Sequence, residues 1–313
     1  MTPAPPSSGA GKTPEWLQRK ERGSIFWLSV MRRLSLLLGR RLSRCVVYGI
    51  ALYFLLAVHS ARQASRAYLE RILQRPAGWR DLYRHILAFS TTIHDRIYLL
   101  NNRYDLFDIR IFDADQLHAT HATGKGCFLF GAHLGSFEVL RSIARDNPSL
   151  RVYVAMNPEN ARQINDSLAA INPGVMLDVI TLGQFDAMLE IHHRLQEGAM
   201  VGILADRASG PDNYLELPFL GSPAPFPTGP FRTAVMLREP VYFMAGLYRG
   251  DNRYDIHFEL LTDFAGPQAG SRQDEVRDLL EKYVAALERH CRAAPFNWFN
   301  FYDFWKSADS ETS

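Results

Sequence analysis

Apolar residues recur at spacings of three and four from Glu15 to about Asn101, the repeat of helices that each bury one face. Pro76 and Gly78 interrupt the repeat and predict a break between two helices. Beyond residue 101 the pattern changes to short apolar runs separated by amphipathic stretches. FDIRIF (107–112), GCFLFGA (126–132), RVYVAM (151–156), LDVITL (177–182) and AMVGILA (199–205) predict strands. Helices are expected over 135–145, 159–171 and 184–197, between successive strands. A loop runs to Pro230 and a short helix follows. PVYFMAGLYR and YDIHFELL then predict an antiparallel pair, and a helix over 272–292 leads into the aromatic tail FNWFNFYDFW. Strands alternating with helices imply an α/β fold, a central mixed sheet flanked by helices, with a helical extension at the N-terminus. No internal repeat of solenoid length is present.

With 313 residues and 47% hydrophobic content, the chain can build one large core, with or without a helical attachment. The pattern divides it into a disordered tail (1–14), a helical membrane-associating region (15–101), an α/β domain (102–306) and a tail (307–313). A net charge of +2 gives no nucleic-acid footprint, but the charge is uneven. Residues 1–45 carry nine basic side chains against Glu15 and Glu21, a balance of +7 that leaves −5 for the rest. This basic end runs into CVVYGIALYFLLAV (45–58), fourteen residues, fewer than the roughly 18–20 of a straight span. Basic charge joined to an apolar stretch suits an anionic membrane surface, best as an interfacial helix, with a buried helix or a span as alternatives. A signal peptide fits poorly, because the stretch starts far from Met1 and continues as helix. SGAGKT (8–13) imitates the end of a P-loop but lacks the earlier glycine, Pro6 standing there, and a preceding strand. Cys45, Cys127 and Cys291 form no CxxC pair, which fits a reducing compartment and gives no zinc site. HATH (118–121) and His192/His193 lack the further ligands a metal needs, so no metal or other cofactor is expected.

FGAHLGSFEVL (130–140) places His133 five residues before Glu138. Composition alone produces such spacings, and His192 to Glu197 is a second. That pair lies within a helix, where five residues turn about 140° beyond a full turn and the side chains diverge. His133 stands where a strand ends, and Glu138 falls in the first turn of the expected helix. Ligands of open α/β sheets bind at the carboxyl ends of strands. An imidazole there takes a proton from an acceptor hydroxyl or amine while a carboxylate orients its other nitrogen. The same two residues also suit a strand end and a helix N-terminus with no chemistry at all. GxSxG is absent and no serine or cysteine is framed as a nucleophile.

HLGSFE resembles the HxxxxE motif of the lysophospholipid acyltransferase superfamily, nearest to the bacterial lipid A late acyltransferases that transfer lauroyl and myristoyl groups. The resemblance runs from about 24 to 305 and includes GAMVGILADR, LPFLGSPAPFPTGPFRTAVMLREP and NWFNFYDFW. It implies acyl transfer from an acyl-carrier-protein or coenzyme A thioester to a hydroxyl or amine of a membrane-associated lipid. His133 would be general base and Glu138 its orienter. Asp206 would join the supporting polar set, and Gly221 and Thr228 would shape the loop beside the acyl chain. The resemblance places the enzyme at the cytoplasmic face of a bacterial inner membrane, held by its basic N-terminal region. The sequence departs from the family where an arginine is expected before the Asp strand: Arg162 is the nearest candidate, with Arg207 as substitute. Such an arginine reads an acceptor phosphate bidentately. A glycerophospholipid acceptor, acyl thioester or ester hydrolysis, and a non-catalytic lipid-binding role are the alternatives.

Overall fold

The computed structural model describes residues 25–140, 150–172, 178–183, 186–207, 214–266 and 270–305. The P-loop imitation, both tails and the second half of the helix expected over 135–145 lie outside them. Three helices open the chain: α1 (Ile25–Ala57), α2 (His59–Leu73) and α3 (Trp79–Leu100). Gly39 kinks α1 at φ 76° and ψ 164°, and Val58 separates α1 from α2, a break that the apolar repeat does not reveal. The break at Pro76–Gly78 is as expected, and Asp81 caps α3 by accepting the Gly78 N–H at 3.1 Å.

The α/β part follows as β1 (Asp108–Phe112), α4 (Asp115–Ala122), β2 (Cys127–Gly131), β3 (Val152–Met156), α5 (Pro158–Ile171), β4 (Val179–Thr181), α6 (Ala187–Gln196) and β5 (Met200–Leu204). It continues as β6 (Tyr214–Phe219), β7 (Ser222–Pro227), α7 (Gly229–Leu237), β8 (Val241–Gly250), β9 (Arg253–Thr262) and α8 (Arg272–Ala293). Seven strands form one mixed sheet in the order β1-β9-β8-β2-β5-β3-β4. The chain is therefore α/β with a helical N-terminal extension. β8, β2, β5, β3 and β4 run parallel, and β9 returns antiparallel to β8. β2 and β5 sit in the middle and are apolar on both faces, as helix-covered parallel strands must be. Phe128 and Phe130 enter one core with Val201, Ile203, Phe243 and Tyr283. Cys127 and Leu129 enter the other with Met200, Met244 and Tyr254.

Two local expectations are corrected. Residues 214–227, read as a loop, form a β6–β7 hairpin whose tip, Leu220 (φ 52°) and Gly221 (φ 83°), has the left-handed backbone of a two-residue turn. Four prolines at 218, 223, 225 and 227 hide it from a strand pattern, and an isolated two-stranded ribbon tolerates them because neither edge continues. The segment after β2 does not turn at once into helix: Leu134 bridges Trp298 and Gly135 bridges Gly246, and among the described residues a helical turn begins only at the 3-10 stretch Glu138–Leu140.

α1 is fastened to α3 and the sheet by a buried polar cluster. Arg40 donates to both oxygens of Asp95 at 2.8 and 2.9 Å, and Tyr254 donates to the same carboxylate at 2.8 Å. Ser43 bridges His94 (2.9 Å) and Tyr98 (3.0 Å). Burial alone would raise the Asp95 pKa, but His94, Arg40 and Tyr254 together hold it below the usual carboxylate range.

Candidate active site

The register of β2 and β5 builds the centre of the site. Gly131 pairs with Leu204, so His133 and Asp206, each two residues further on, emerge side by side at the carboxyl ends of adjacent parallel strands. The Asp206 carboxylate accepts the His133 backbone N–H at 3.0 Å and faces His133 Nδ1 at 2.9 Å. Trp298 Nε1 donates to it at 3.2 Å and Asn300 at 3.4 Å. The carboxylate is fully buried, whereas the His133 side chain is 33% exposed and open to a reactant. Burial works against the Asp206 charge, yet the His133 ring, its hydrogen bonds and Arg207 bring the pKa down to about 2. Desolvation and then the Arg207 charge lower the His133 pKa, outweighing the attraction of Asp206. The resting pair is thus a neutral imidazole on an ionised carboxylate, with the proton on Nδ1 toward Asp206.

The partner of His133 is therefore Asp206 and not Glu138. Glu138 turns away to form an ion pair with Arg96, whose Nε lies 2.6 Å from its Oε1, and to accept the Ser136 hydroxyl at 3.1 Å. The reason is the backbone between them. Gly135 takes φ 73°, its N–H donates to Asn297 O at 2.8 Å, and the Ser136 N–H donates to Gly246 O at 2.8 Å. Bound as a strand extension, the segment sends the Glu138 carboxylate toward α3 instead of folding it back over the imidazole. A Cβ on Gly135 would stand 2.0 Å from Gly246 O, so glycine is required there on both counts.

The family model for bacterial lipid A biosynthesis acyltransferases matches residues 86–307, which contain every residue of this centre. The chain belongs to that family. A search of the curated proteins finds no match. In this acyltransferase, Arg207 is the charged neighbour of the centre: it donates to Asn300 Oδ1 at 2.5 Å and Phe299 O at 2.9 Å, and lies over the Tyr302 ring. Arg162 lies exposed on α5, with no contact to His133 among the described residues. Gly221 is at the hairpin tip, where the adjacent Leu220 N–H is held by Glu288 at 2.8 Å, and Thr228 precedes α7; neither touches His133 among the described residues. Among the described residues, an open cleft of about 340 Å³ is lined by Arg32, Arg33, Leu36, Leu37, Asn101 and Ile171, and one of about 740 Å³ by Asp113, Arg249, His257, Glu259, Arg289 and His290; His133 lines neither.

The acyltransferase's aromatic ending is a clasp, since Trp298 is fully buried and Phe304 is 4% exposed. Trp298 packs against Tyr68, Phe219 and Phe304 at 5.1, 5.2 and 4.8 Å, joining α2, the hairpin and the tail around the Asp206 carboxylate. His85 completes the joint: the Ser65 hydroxyl donates to Nδ1 and Nε2–H donates to Trp298 O, both at 2.8 Å. Pattern reading missed Arg96, Trp298 and Asn300 as members of the site. Arg96 lies in a helix 42 residues before Glu138 and carries no local mark. Trp298 and Asn300 did: polar-tipped side chains two apart in an extended stretch point the same way.

Proposed function

We propose that this acyltransferase moves a fatty acyl group from an acyl-carrier-protein or coenzyme A thioester to a hydroxyl or amine of a membrane-associated lipid. His133 is the general base. Its Nε2 takes the acceptor proton as the acceptor oxygen or nitrogen bonds to the thioester carbonyl, the C–S bond breaks, and the imidazolium returns the proton to the departing thiolate. Asp206 fixes the Nδ1–H tautomer and stabilises the imidazolium, the orienting task first expected of Glu138. Glu138, gripped by Arg96, keeps the His133 loop in place. Arg162 is the candidate for an acceptor phosphate, because the guanidinium of Arg207 is already engaged. The hairpin tip at Gly221 and Thr228 border the acyl chain, and the N-terminal helices hold the enzyme at the cytoplasmic face of a bacterial inner membrane.

The observation that carries this reading is the partly exposed His133 ring, bonded through Nδ1 to a buried, ionised Asp206 at the ends of two parallel strands. The test is incubation of purified protein with radiolabelled acyl-carrier protein and total membrane lipid extract, beside His133→Ala. Labelled lipid is expected from the unmodified protein, and a loss of about 10²-fold or more from the variant. Retention of most transfer by His133→Ala would remove the general base. Free fatty acid as sole product would make the protein a hydrolase, and labelled glycerophospholipid would name that acceptor class. No turnover of either kind would leave a lipid-binding protein.

A further inference from the structure

The carboxylate that holds His133 is followed in sequence by a cation, Arg207, and among the described residues no ion pair joins the two. Asn300 stands between them. Its Nδ2 donates to Asp206 Oδ2 at 3.4 Å, and its Oδ1 accepts from Arg207 Nε at 2.5 Å. A carboxylate only accepts and a guanidinium only donates, so both partners fix the same orientation of the amide. The tail places that amide: the Phe299 N–H donates to His133 O at 2.7 Å, Leu134 bridges Trp298, and Phe299 O accepts Arg207 Nη2 at 2.9 Å. Asn300 is 1% exposed and Asp206 is fully buried, so little water screens the charges on either side of the amide.

Asp206 Oδ2 faces three neutral donors, the His133 backbone N–H at 3.0 Å, Trp298 Nε1 at 3.2 Å and Asn300 Nδ2. Oδ1 faces the His133 ring. A guanidinium reaching this carboxylate would grip it bidentately, through charge-assisted bonds about twice as strong as neutral ones. Such a fork takes both oxygens and would displace His133 Nδ1. We infer that Asn300 is a positioning residue for the reaction: it insulates Asp206 from Arg207, so that the carboxylate stays on His133 and the guanidinium remains a separate charge beside the imidazole. This rests on the general-base reading of His133 and adds what keeps that base oriented. Asp206 and Arg207 are the charged groups that act on the ring, with opposite signs: the carboxylate favours the imidazolium and the guanidinium opposes it. Held apart, they leave the resting ring neutral and oriented. Fused into one ion pair, they would leave it without a fixed tautomer.

Nitrogen NMR of the full chain with isotope-labelled histidine reads this without turnover. The His133 ring is identified by its loss in His133→Ala, and in the unmodified protein it is expected as the Nδ1–H tautomer. Asn300→Leu lets the guanidinium reach Asp206. The ring is then expected to become a mixture of tautomers, with acyl transfer lower by about 10²-fold. Arg207→Gln in that background removes the competing cation, and the Nδ1–H tautomer and part of the transfer are expected to return. Arg207→Gln alone is expected to keep the tautomer and raise the His133 pKa by about 1 unit, a readout that does not depend on how Asn300→Leu folds. A tautomer unchanged by Asn300→Leu would overturn the inference. So would a double variant no better than the single one, or a tautomer lost in Arg207→Gln alone. If the tautomer follows the expected course while His133→Ala keeps its transfer, the general-base reading fails and the insulating role of Asn300 stands. If the tautomer ignores Asn300→Leu while His133→Ala loses transfer, only the inference fails.

Discussion

At the residue scale, one imidazole has two carboxylates near it in sequence or space, and only one is bonded to it. Replacing Asp206 by Asn keeps the size but frees the tautomer and removes the negative charge that stabilises the imidazolium. Acyl transfer is expected to fall by about 10²–10⁴-fold, as for comparable substitutions in His-carboxylate pairs. Glu138→Gln is expected to lose far less in kcat, because it disturbs the Arg96 contact and not the imidazole. Side-by-side turnover with acyl-carrier-protein thioester decides the point: equal losses would return the orienting role to Glu138. Transfer should also need neutral His133. Its folded pKa lies below 6.5, so the acid limb of the rate profile is expected below pH 6.5, and a limb above 7 would contradict the site's electrostatics. Both carboxylates and the imidazole were legible in the sequence. Which carboxylate is bonded to the imidazole was not, because a five-residue spacing carries no information about a backbone path set by Gly246 and Asn297, more than 100 residues away.

At the scale of elements, the attachment of α1 to α3 depends on the buried Arg40–Asp95 pair. Arg40→Met is expected to destabilise the fold by about 3–5 kcal/mol, since it leaves a buried carboxylate without its cation. Arg40→Met with Asp95→Leu is expected to recover part of that loss; chemical denaturation of the two variants is the measurement. A double variant no better than the single one would mean that Tyr254 and His94 matter more than the ion pair. The helices α5, α6 and α8 and all seven sheet strands lie where their periodicity places them, because local burial patterns set them. The β6–β7 hairpin did not. Its prolines argue against strand, and it is held instead by the clasp, Phe219 against Trp298 and Phe226 against Phe304.

At the scale of the whole molecule, burial of histidines makes the fold acid-sensitive. His85, fully buried between Ser65 and Trp298, has its pKa lowered to about 4 by desolvation. The unfolded chain takes up that proton near pH 6.5 and the folded protein refuses it until about 4. Stability is therefore full above pH 6.5 and declines as pH falls through this window, by about 3 kcal/mol from His85 at 1.36 kcal/mol per unit. His290, also lowered to about 4, adds in the same direction. Asp206 and Asp95, depressed below 3.8, add to the decline only at its acid end, where the carboxyls of the unfolded chain begin to take up protons. Guanidinium unfolding at pH 7.5 and 4.5 should show a smaller pH difference for His85→Asn than for the unmodified protein. An unchanged difference would remove His85 as its source.

The sequence by itself determined the α/β class, the order of helices and strands, the basic apolar N-terminal helix and His133 at a strand end. These follow from local periodicity, turn residues and charge, which act over a few residues and are written where they act. Only the tertiary structure decided that Asp206 holds His133, that Arg96 takes Glu138, and that Trp298 and Asn300 seal the carboxylate. It also decided that α1 lies seated along the protein. Each of those outcomes depends on strand register and on burial between segments distant in the chain, where a carboxylate is placed by whatever backbone and cation the fold brings beside it.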